Sequence, residues 1–191
     1  MITSTSVRRA ALIAALLSVP GLHAAEVAGV KVDDKIRVGA SDLVLNGAGL
    51  RSKVFIKVYV GALYVGQKAT TPAAIYDSPL PRRMVMRLMR DLDADSLNAA
   101  LDEGLKSNHS PAELADMKPQ ADALAGIMKA IGKAREGDTI AIDFSAEGVA
   151  VSLNGEARGK VAGAGFAKAL LKVWLGDKPV DASLKKALLG S

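Results

Sequence analysis

Few side chains in this 191-residue chain are of the types that carry out chemistry, and their scarcity excludes whole classes of site. The sequence has no cysteine, which excludes thiol nucleophiles, thiolate metal sites and disulfides. His109 is the one histidine beyond residue 25, so a multi-histidine metal centre is excluded as well. Residues 107–111 are typical of a loop entering a helix, and we interpret His109 as a helix-boundary residue, not a catalytic base. We predict no metal and no cofactor.

Acidic and basic residues give no further catalytic or nucleic-acid signature. Asp93 and Asp95 lie two residues apart and are interpreted as helix caps, not as a general acid and base. Without the two arginines of residues 1–25 the formal net charge falls from +5 to +3, which is mild. Aromatic residues make up 4% of the chain, and no five like charges follow one another. A nucleic-acid partner is therefore not expected.

The first 25 residues are typical of a secretory signal peptide. Two arginines precede a short apolar run, and Ala24 and Ala25 are the small residues that suit cleavage. The run is shorter than the roughly 20 apolar residues that span a bilayer, so no stable membrane span is expected after cleavage. We predict a signal peptide over residues 1–25, a single domain over residues 26–191, and a periplasmic protein.

The elements that must position any site begin with strands. Short β-like runs fill residues 26–46, and residues 54–65 give the longest strand signal. One parity of that segment, from Val54 and Ile56 to Tyr64, is predicted to face the core. The other parity, which includes Tyr59, is mixed and suits a cleft. Residues 82–92 predict another strand, although their methionines also permit a helix.

Helices fill most of the second half of the chain. Asp93 or Asp95 can cap a helix, and the capping box at residues 110–113 predicts another that carries an apolar stripe over residues 124–131. A β-hairpin turns at residues 146–148. A further helix ends at Gly176, and Asp181 caps a last one. This order predicts an α+β fold, an antiparallel sheet with helices gathered on one face.

Two sequence blocks resemble a known family. The first is Gly47-Ala48-Gly49-Leu50-Arg51, followed by Lys57-Val58-Tyr59 and by Tyr64. It resembles the G-x-G-x-R…K-x-Y/T-x-x-x-x-Y signature of the chalcone isomerase-like family. The segment over residues 174–185 resembles that family's G-x-x-x-V-S/D-x-x-L-K ending, and Arg90-Asp91 fits its bacterial members.

The resemblance implies a fold and a ligand. The fold is an open-faced β-sandwich, in which a cleft lies between a large antiparallel sheet and a layer of helices. Plant enzymes of the family close a chalcone into a flavanone, whereas non-catalytic relatives bind fatty acids through an arginine and a tyrosine. Arg51 matches the arginine, Tyr59 matches the tyrosine of the fatty-acid binders, and Val173 falls where the isomerase has a threonine.

The chemistry of these side chains agrees with carboxylate binding. A guanidinium can hold a carboxylate through two parallel hydrogen bonds, and a tyrosine hydroxyl adds a donor. Eight residues of continuous strand would separate Arg51 from Tyr59 by roughly 26 Å, so they share a ligand only if the chain turns between them, for example at Ser52-Lys53. Otherwise Arg87 or Arg90, on a neighbouring strand, supplies the cation.

Three functions remain open from the sequence. The favoured one is a periplasmic protein that binds a fatty acid or a similar amphipathic carboxylate without catalysis. An isomerase, or intramolecular lyase, acting on an enone or chalcone-like substrate is the alternative, with Arg51 and Tyr59 as its catalytic candidates. The third is a structural partner in an envelope complex. The predicted ligand-binding residues are Arg51, Tyr59, Arg87 and Val173, while Trp174 is interpreted as core packing.

Overall fold

The computed structural model describes residues 25–190, so the predicted signal peptide lies outside the described residues except for Ala25. The strands are β1 (Ala25–Val27), β2 (Val30–Val32), β3 (Lys35–Val38), β4 (Ser41–Lys53), β5 (Ile56–Val65), β6 (Arg82–Leu88), β7 (Leu92–Asp93), β8 (Lys133–Ala134), β9 (Thr139–Ser145), β10 (Gly148–Leu153) and β11 (Glu156–Ala162). The helices are α1 (Pro72–Tyr76), α2 (Ala94–Asn108), α3 (Pro111–Asp116), α4 (Lys118–Ile131), α5 (Ala164–Leu175) and α6 (Ala182–Leu188).

A seven-stranded antiparallel sheet organises the chain. Its strand order is β11-β10-β9-β6-β5-β4-β3, and the pairs β1-β2 and β7-β8 form two small separate ladders. Helices α4, α5 and α6 pack on one face of the large sheet, while α2 makes its main contacts with α4 and α5. The predicted α+β fold is confirmed, with the helices on one side.

The two faces of the sheet carry cores of different size. The large core lies on the helix side and includes Tyr59 and Leu63 of β5, whereas Val60 and Tyr64 point into a small cluster on the opposite side. The prediction that Val54 begins the core face is wrong, because Val54 and Ile56 lie at the β4–β5 turn and are exposed. The alternation of residues along a strand indicates which side chains share a face, but it does not indicate the position at which the chain reverses.

The helix boundaries follow the capping residues. Asp93 caps α2 by accepting a hydrogen bond from the backbone N–H of Ser96 at 2.7 Å, and His109 ends that helix, as predicted. Ser110 and Glu113 form the predicted capping box at the start of α3. The helical segment is interrupted at Met117, where a second helix, α4, begins with proline in its first turn.

The small residues of the first motif lie within β4. A β-carbon added to Gly47 would lie 2.0 Å from the carbonyl oxygen of Ala187, and one added to Gly49 would lie 2.6 Å from the Ala187 β-carbon. These glycines let α6 approach the strand closely. The chain does not turn at these glycines, because β4 continues through them to Lys53.

Candidate ligand-binding site

A cavity of about 530 Å³ lies between the helix-side face of the sheet and helices α2 and α5. Its floor crosses four neighbouring strands, from Arg51 on β4 through Tyr59 and Met86 to Ile140 on β9. Three strand spacings of about 4.8 Å make this floor about 14 Å wide. The volume lies within the range of small-molecule sites, which are typically a few hundred to a thousand cubic ångströms.

The β4–β5 hairpin brings Arg51 and Tyr59 together. The two residues are direct partners in the antiparallel ladder, and the guanidinium carbon lies 5.5 Å from the centroid of the tyrosine ring. The chain reverses at residues 54–55, two positions beyond the expected turn at Ser52-Lys53. The chain therefore turns between Arg51 and Tyr59, as it must if both are to contact one ligand. We refer to these two residues as the anchor pair.

The hydroxyl of Tyr59 remains available as a hydrogen-bond donor. It accepts a hydrogen bond from the indole Nε1 of Trp174 at 2.8 Å, which leaves its own proton for another acceptor. Burial raises the pKa of Tyr59 to about 12, and the opposing effects of the Arg51 charge and the Trp174 hydrogen bond are smaller. The hydroxyl is therefore protonated at neutral pH.

The guanidinium of Arg51 lacks a carboxylate partner within residues 25–190. Its Nε is buried and has no hydrogen-bond partner among the described residues. Asp181, which lies close enough for its charge to act on Tyr59, accepts hydrogen bonds from the backbone N–H groups of Leu184 at 2.9 Å and Ser52 at 3.3 Å. A half-buried cation with an unpaired N–H is a place where an added anion gains hydrogen bonds.

Away from the anchor pair the buried part of the cavity wall is apolar, whereas the polar lining residues are exposed: Lys53, Arg90, Asp91, Asp93, Ser96 and Glu103. Val173 and Trp174 supply the buried part from α5, Met128 from α4, and Met86 and Ile140 from the sheet, and all five side chains are buried. Val173 is 1% exposed and lies against Gly104 of α2, where a β-carbon would come within 2.7 Å of it. The wall therefore suits an alkyl or aromatic group and offers few partners for ordered water.

Of the two arginines predicted as alternative sources of the cation, Arg90 lines the cavity and Arg87 does not. Arg90 is exposed and lines the cavity at its open side. Arg87 lies outside this cavity: it lines a hollow on the opposite face of the sheet and donates a hydrogen bond from Nη1 to Thr139 Oγ1 at 3.1 Å. Alternation along β6 separates it from Met86, which faces the cavity.

Two features of the site were missed by sequence reasoning. Trp174 was interpreted as packing only, although its indole N–H fixes the Tyr59 hydroxyl. The two residues are 115 positions apart, and no local pattern links them. Asp181 was recognised only as a cap, although its second carboxylate oxygen also contacts the Ser52 backbone beside the anchor pair.

His109 lies at the end of α2 and does not line the cavity. The imidazole Nε2 of His109 lies 3.2 Å from the carbonyl oxygen of Ala169, and the ring is buried at the end of α2. Among residues 25–190, no group of three or more His, Asp or Glu residues could hold a metal ion. No helix in this range is long and apolar enough to cross a membrane.

Comparison with known proteins gives one family and one fold. The family model described as chalcone isomerase-like matches residues 24–190. The structure is similar to the crystal structure of a fatty-acid binding protein from Arabidopsis thaliana, with a TM-score of 0.66 and 16% sequence identity. The match covers 84% of this chain and 92% of the plant chain. No curated protein matches the sequence significantly.

Proposed function

Since this chain belongs to the chalcone isomerase-like family, we propose that it binds a fatty acid or a similar amphipathic carboxylate in its cavity, without catalysis. The observation that carries the proposal is the anchor pair at one side of an apolar cavity. Arg51 has a buried Nε that finds no partner between residues 25 and 190, and Tyr59 has a hydroxyl proton that Trp174 does not use. Both groups are donors, and a carboxylate is an acceptor only.

The carboxylate would lie between the anchor pair and the acyl chain would extend across the sheet. Charge-assisted hydrogen bonds from Arg51 and a third bond from Tyr59 would hold its two oxygens. The chain would then pass Met86 and Val173 towards Ile140, where burial of each methylene contributes about 0.8 kcal/mol. The similar plant structure is that of a fatty-acid binding protein, and this similarity supports the same class of ligand here.

The composition of the wall favours binding over isomerisation. An isomerase must stabilise the charge that develops on an enolate, which calls for several polar groups arranged around the reacting atoms. Here the buried lining includes the apolar side chains of Val173, Met86 and Met128, and Trp174 uses its single N–H on Tyr59. The other two cations that line the cavity, Lys53 and Arg90, are exposed, so Arg51 is the cation that contacts the Tyr59 ring.

We place this function in the periplasm. The proposal rests on the signal-peptide pattern of residues 1–25, which is a feature of the sequence alone. Determination of the N-terminus of the protein recovered from an osmotic-shock fraction tests it. A chain that begins near residue 25 or 26 supports secretion, and a chain that retains Met1 and stays in the cytoplasm contradicts it.

Native mass spectrometry of the purified protein tests the binding itself. We expect a fraction of the protein to carry an added mass that organic extraction identifies as a fatty acid. After the bound lipid is removed, laurate should bind with one-to-one stoichiometry, and dodecanol, which lacks the carboxylate, should bind far more weakly. Equal affinity for laurate and dodecanol would contradict a carboxylate anchor, and turnover of a chalcone would replace binding by catalysis.

A further inference from the structure

The β4–β5 turn exposes three consecutive apolar side chains. Val54 is 79% exposed, Phe55 98% and Ile56 52%, and we refer to these three residues as the tip. Single exposed apolar residues are ordinary on protein surfaces, but three in a row at one turn form a contiguous projection. Phe55 contacts neither core cluster, so its side chain does not contribute to the packing of the fold.

The backbone at the tip gives a second reason to assign it a role. Val54 has a φ of 52°, in the left-handed region that β-branched residues rarely adopt. Two-residue hairpin turns with a positive φ favour glycine, asparagine or aspartate. Asn154-Gly155, in the β10–β11 turn, follows that preference. Valine at the tip therefore opposes the local conformational preference, and an exposed side chain cannot offset the strain through packing.

The tip lies at the opening of the cavity and is flanked by cations. Val54 and Ile56 line the cavity, and the exposed side chains of Lys53 and Lys57 lie on either side of the tip. Neither lysine takes part in an ion pair within residues 25–190. Arg90 adds a third cation at the same opening.

Two of the three acidic residues that line the cavity, Asp91 and Asp93, are already engaged, whereas Glu103 of α2 is exposed and forms no ion pair within residues 25–190. Asp91 forms an ion pair with Lys133 at 2.7 Å, and Asp93 caps α2 through the Ser96 N–H. At the tip itself, the apolar side chains are flanked by two lysines, Lys53 and Lys57, that form no ion pair within residues 25–190. An apolar point flanked by cations fits the headgroup region of an anionic bilayer, where aromatic and aliphatic side chains insert and lysines meet lipid phosphates.

We propose that the tip inserts into the surface of an anionic lipid bilayer and thereby brings the opening of the cavity to the membrane. The proposed membrane contact is argued from the tip and its two lysines, and it does not depend on the proposed function. Direct passage of a lipid-borne carboxylate from the bilayer to the anchor pair rests, in addition, on the proposed function. Because Val54 and Ile56 line the cavity as well as the tip, a ligand leaving the bilayer there would not need to cross open water.

Sedimentation with lipid vesicles tests the proposal. The protein is used as the cell processes it, with its N-terminus determined, and vesicles of phosphatidylcholine with about one-third phosphatidylglycerol are compared with pure phosphatidylcholine. We expect binding to the anionic vesicles that weakens as salt concentration rises. Phe55→Ser should weaken it roughly tenfold or more, and Lys57→Gln about fivefold.

Matched variants control for general effects of the substitutions. Leu80→Ser removes another exposed apolar side chain, near the opposite end of β5, and Lys160→Gln removes a charge on the far edge strand β11. Both should sediment as the wild type does, and all variants share one N-terminus.

Wild-type protein that stays in the supernatant, or Phe55→Ser that sediments as the wild type does, would overturn the proposal. A concentration-dependent dimer lost in Phe55→Ser, without vesicle binding, would identify a second copy as the partner and also overturn it.

The two proposals fail in different ways. Phe55 and Lys57 do not line the cavity, so their variants should bind laurate in solution with wild-type affinity while taking it up from vesicles more slowly. If laurate does not bind at all but the tip variants lose vesicle binding, the proposed function fails and the membrane contact stands. If laurate binds and vesicles do not, the membrane contact alone fails.

Discussion

Replacing Arg51 by methionine should separate ligand binding from folding. Methionine keeps an unbranched side chain of similar reach but removes the charge and all hydrogen-bond donors. If Arg51 serves to stabilise the fold, its replacement should lower the free energy of unfolding. If Arg51 serves to bind a ligand, its replacement should lower the affinity for that ligand and leave the unliganded protein as stable as before or more stable.

The structure gives the expected magnitudes. With laurate bound, two charge-assisted hydrogen bonds at about 1.5 kcal/mol each are lost, so the affinity should fall by about 3 kcal/mol, or roughly a hundredfold. In the free protein, loss of the contact between Arg51 and the Tyr59 ring costs about 0.5–1 kcal/mol. Removal of the buried, unpartnered Nε regains about 1–3 kcal/mol. The free energy of unfolding should therefore stay constant or rise by up to about 2.5 kcal/mol.

Isothermal titration calorimetry with laurate and urea unfolding of the lipid-free protein measure the two quantities. Trp174 is the one tryptophan of the chain and borders the cavity, so its fluorescence reports both processes. Arg87→Met is the matched control, because Arg87 lies on the other face of the sheet, and it also tests the alternative cation. Wild-type laurate affinity in Arg51→Met would refute the reasoning, as would a fall in the free energy of unfolding of more than about 1 kcal/mol, the largest cost expected from the lost ring contact.

Two further predictions follow from the surroundings of the site. Burial raises the pKa values of Tyr59 and Tyr64 to about 12 and also raises that of Tyr76, so an ultraviolet titration of the folded protein should show no tyrosinate step near pH 10. The stability that these groups contribute is complete below pH 10 and is lost as pH rises towards 12. A tyrosinate step at pH 10 in the folded protein would contradict this prediction. Gly104→Ala should lower the free energy of unfolding by about 1–3 kcal/mol although alanine favours helices, because the added β-carbon would clash with Val173. Adding Val173→Ala to this variant should restore part of the lost stability. Gly126→Ala, where the β-carbon would meet open space on α4, is the control and should not destabilise the protein.

Local patterns were sufficient to predict most elements of the fold. Strand alternation located β5 and β6, and the caps at Asp93, Ser110 and Asp181 located the starts of α2, α3 and α6. These signals are local because a strand or a cap depends on residues within a few positions. Strand β11 was not predicted as a strand, because it is an exposed edge strand whose polar residues do not alternate with apolar ones.

The parts that could not be predicted depend on contacts distant in sequence or on atypical turn residues. The turn at residues 54–55 carries valine and phenylalanine, which are poor turn formers, so the reversal was expected at Ser52-Lys53 instead. Arg87 and Arg90 were equivalent as sequence, because alternation does not specify which face of a strand meets the helices. The bond from Trp174 to Tyr59 joins α5 to β5 and required the assembled fold.

A crystal structure of the protein grown with laurate tests the central claim most directly. We predict one laurate molecule in the cavity, with its carboxylate within hydrogen-bond distance of both the Arg51 guanidinium and the Tyr59 hydroxyl, and with its acyl chain directed towards Ile140. A carboxylate that contacts neither member of the anchor pair, or laurate bound outside the cavity, would contradict the account.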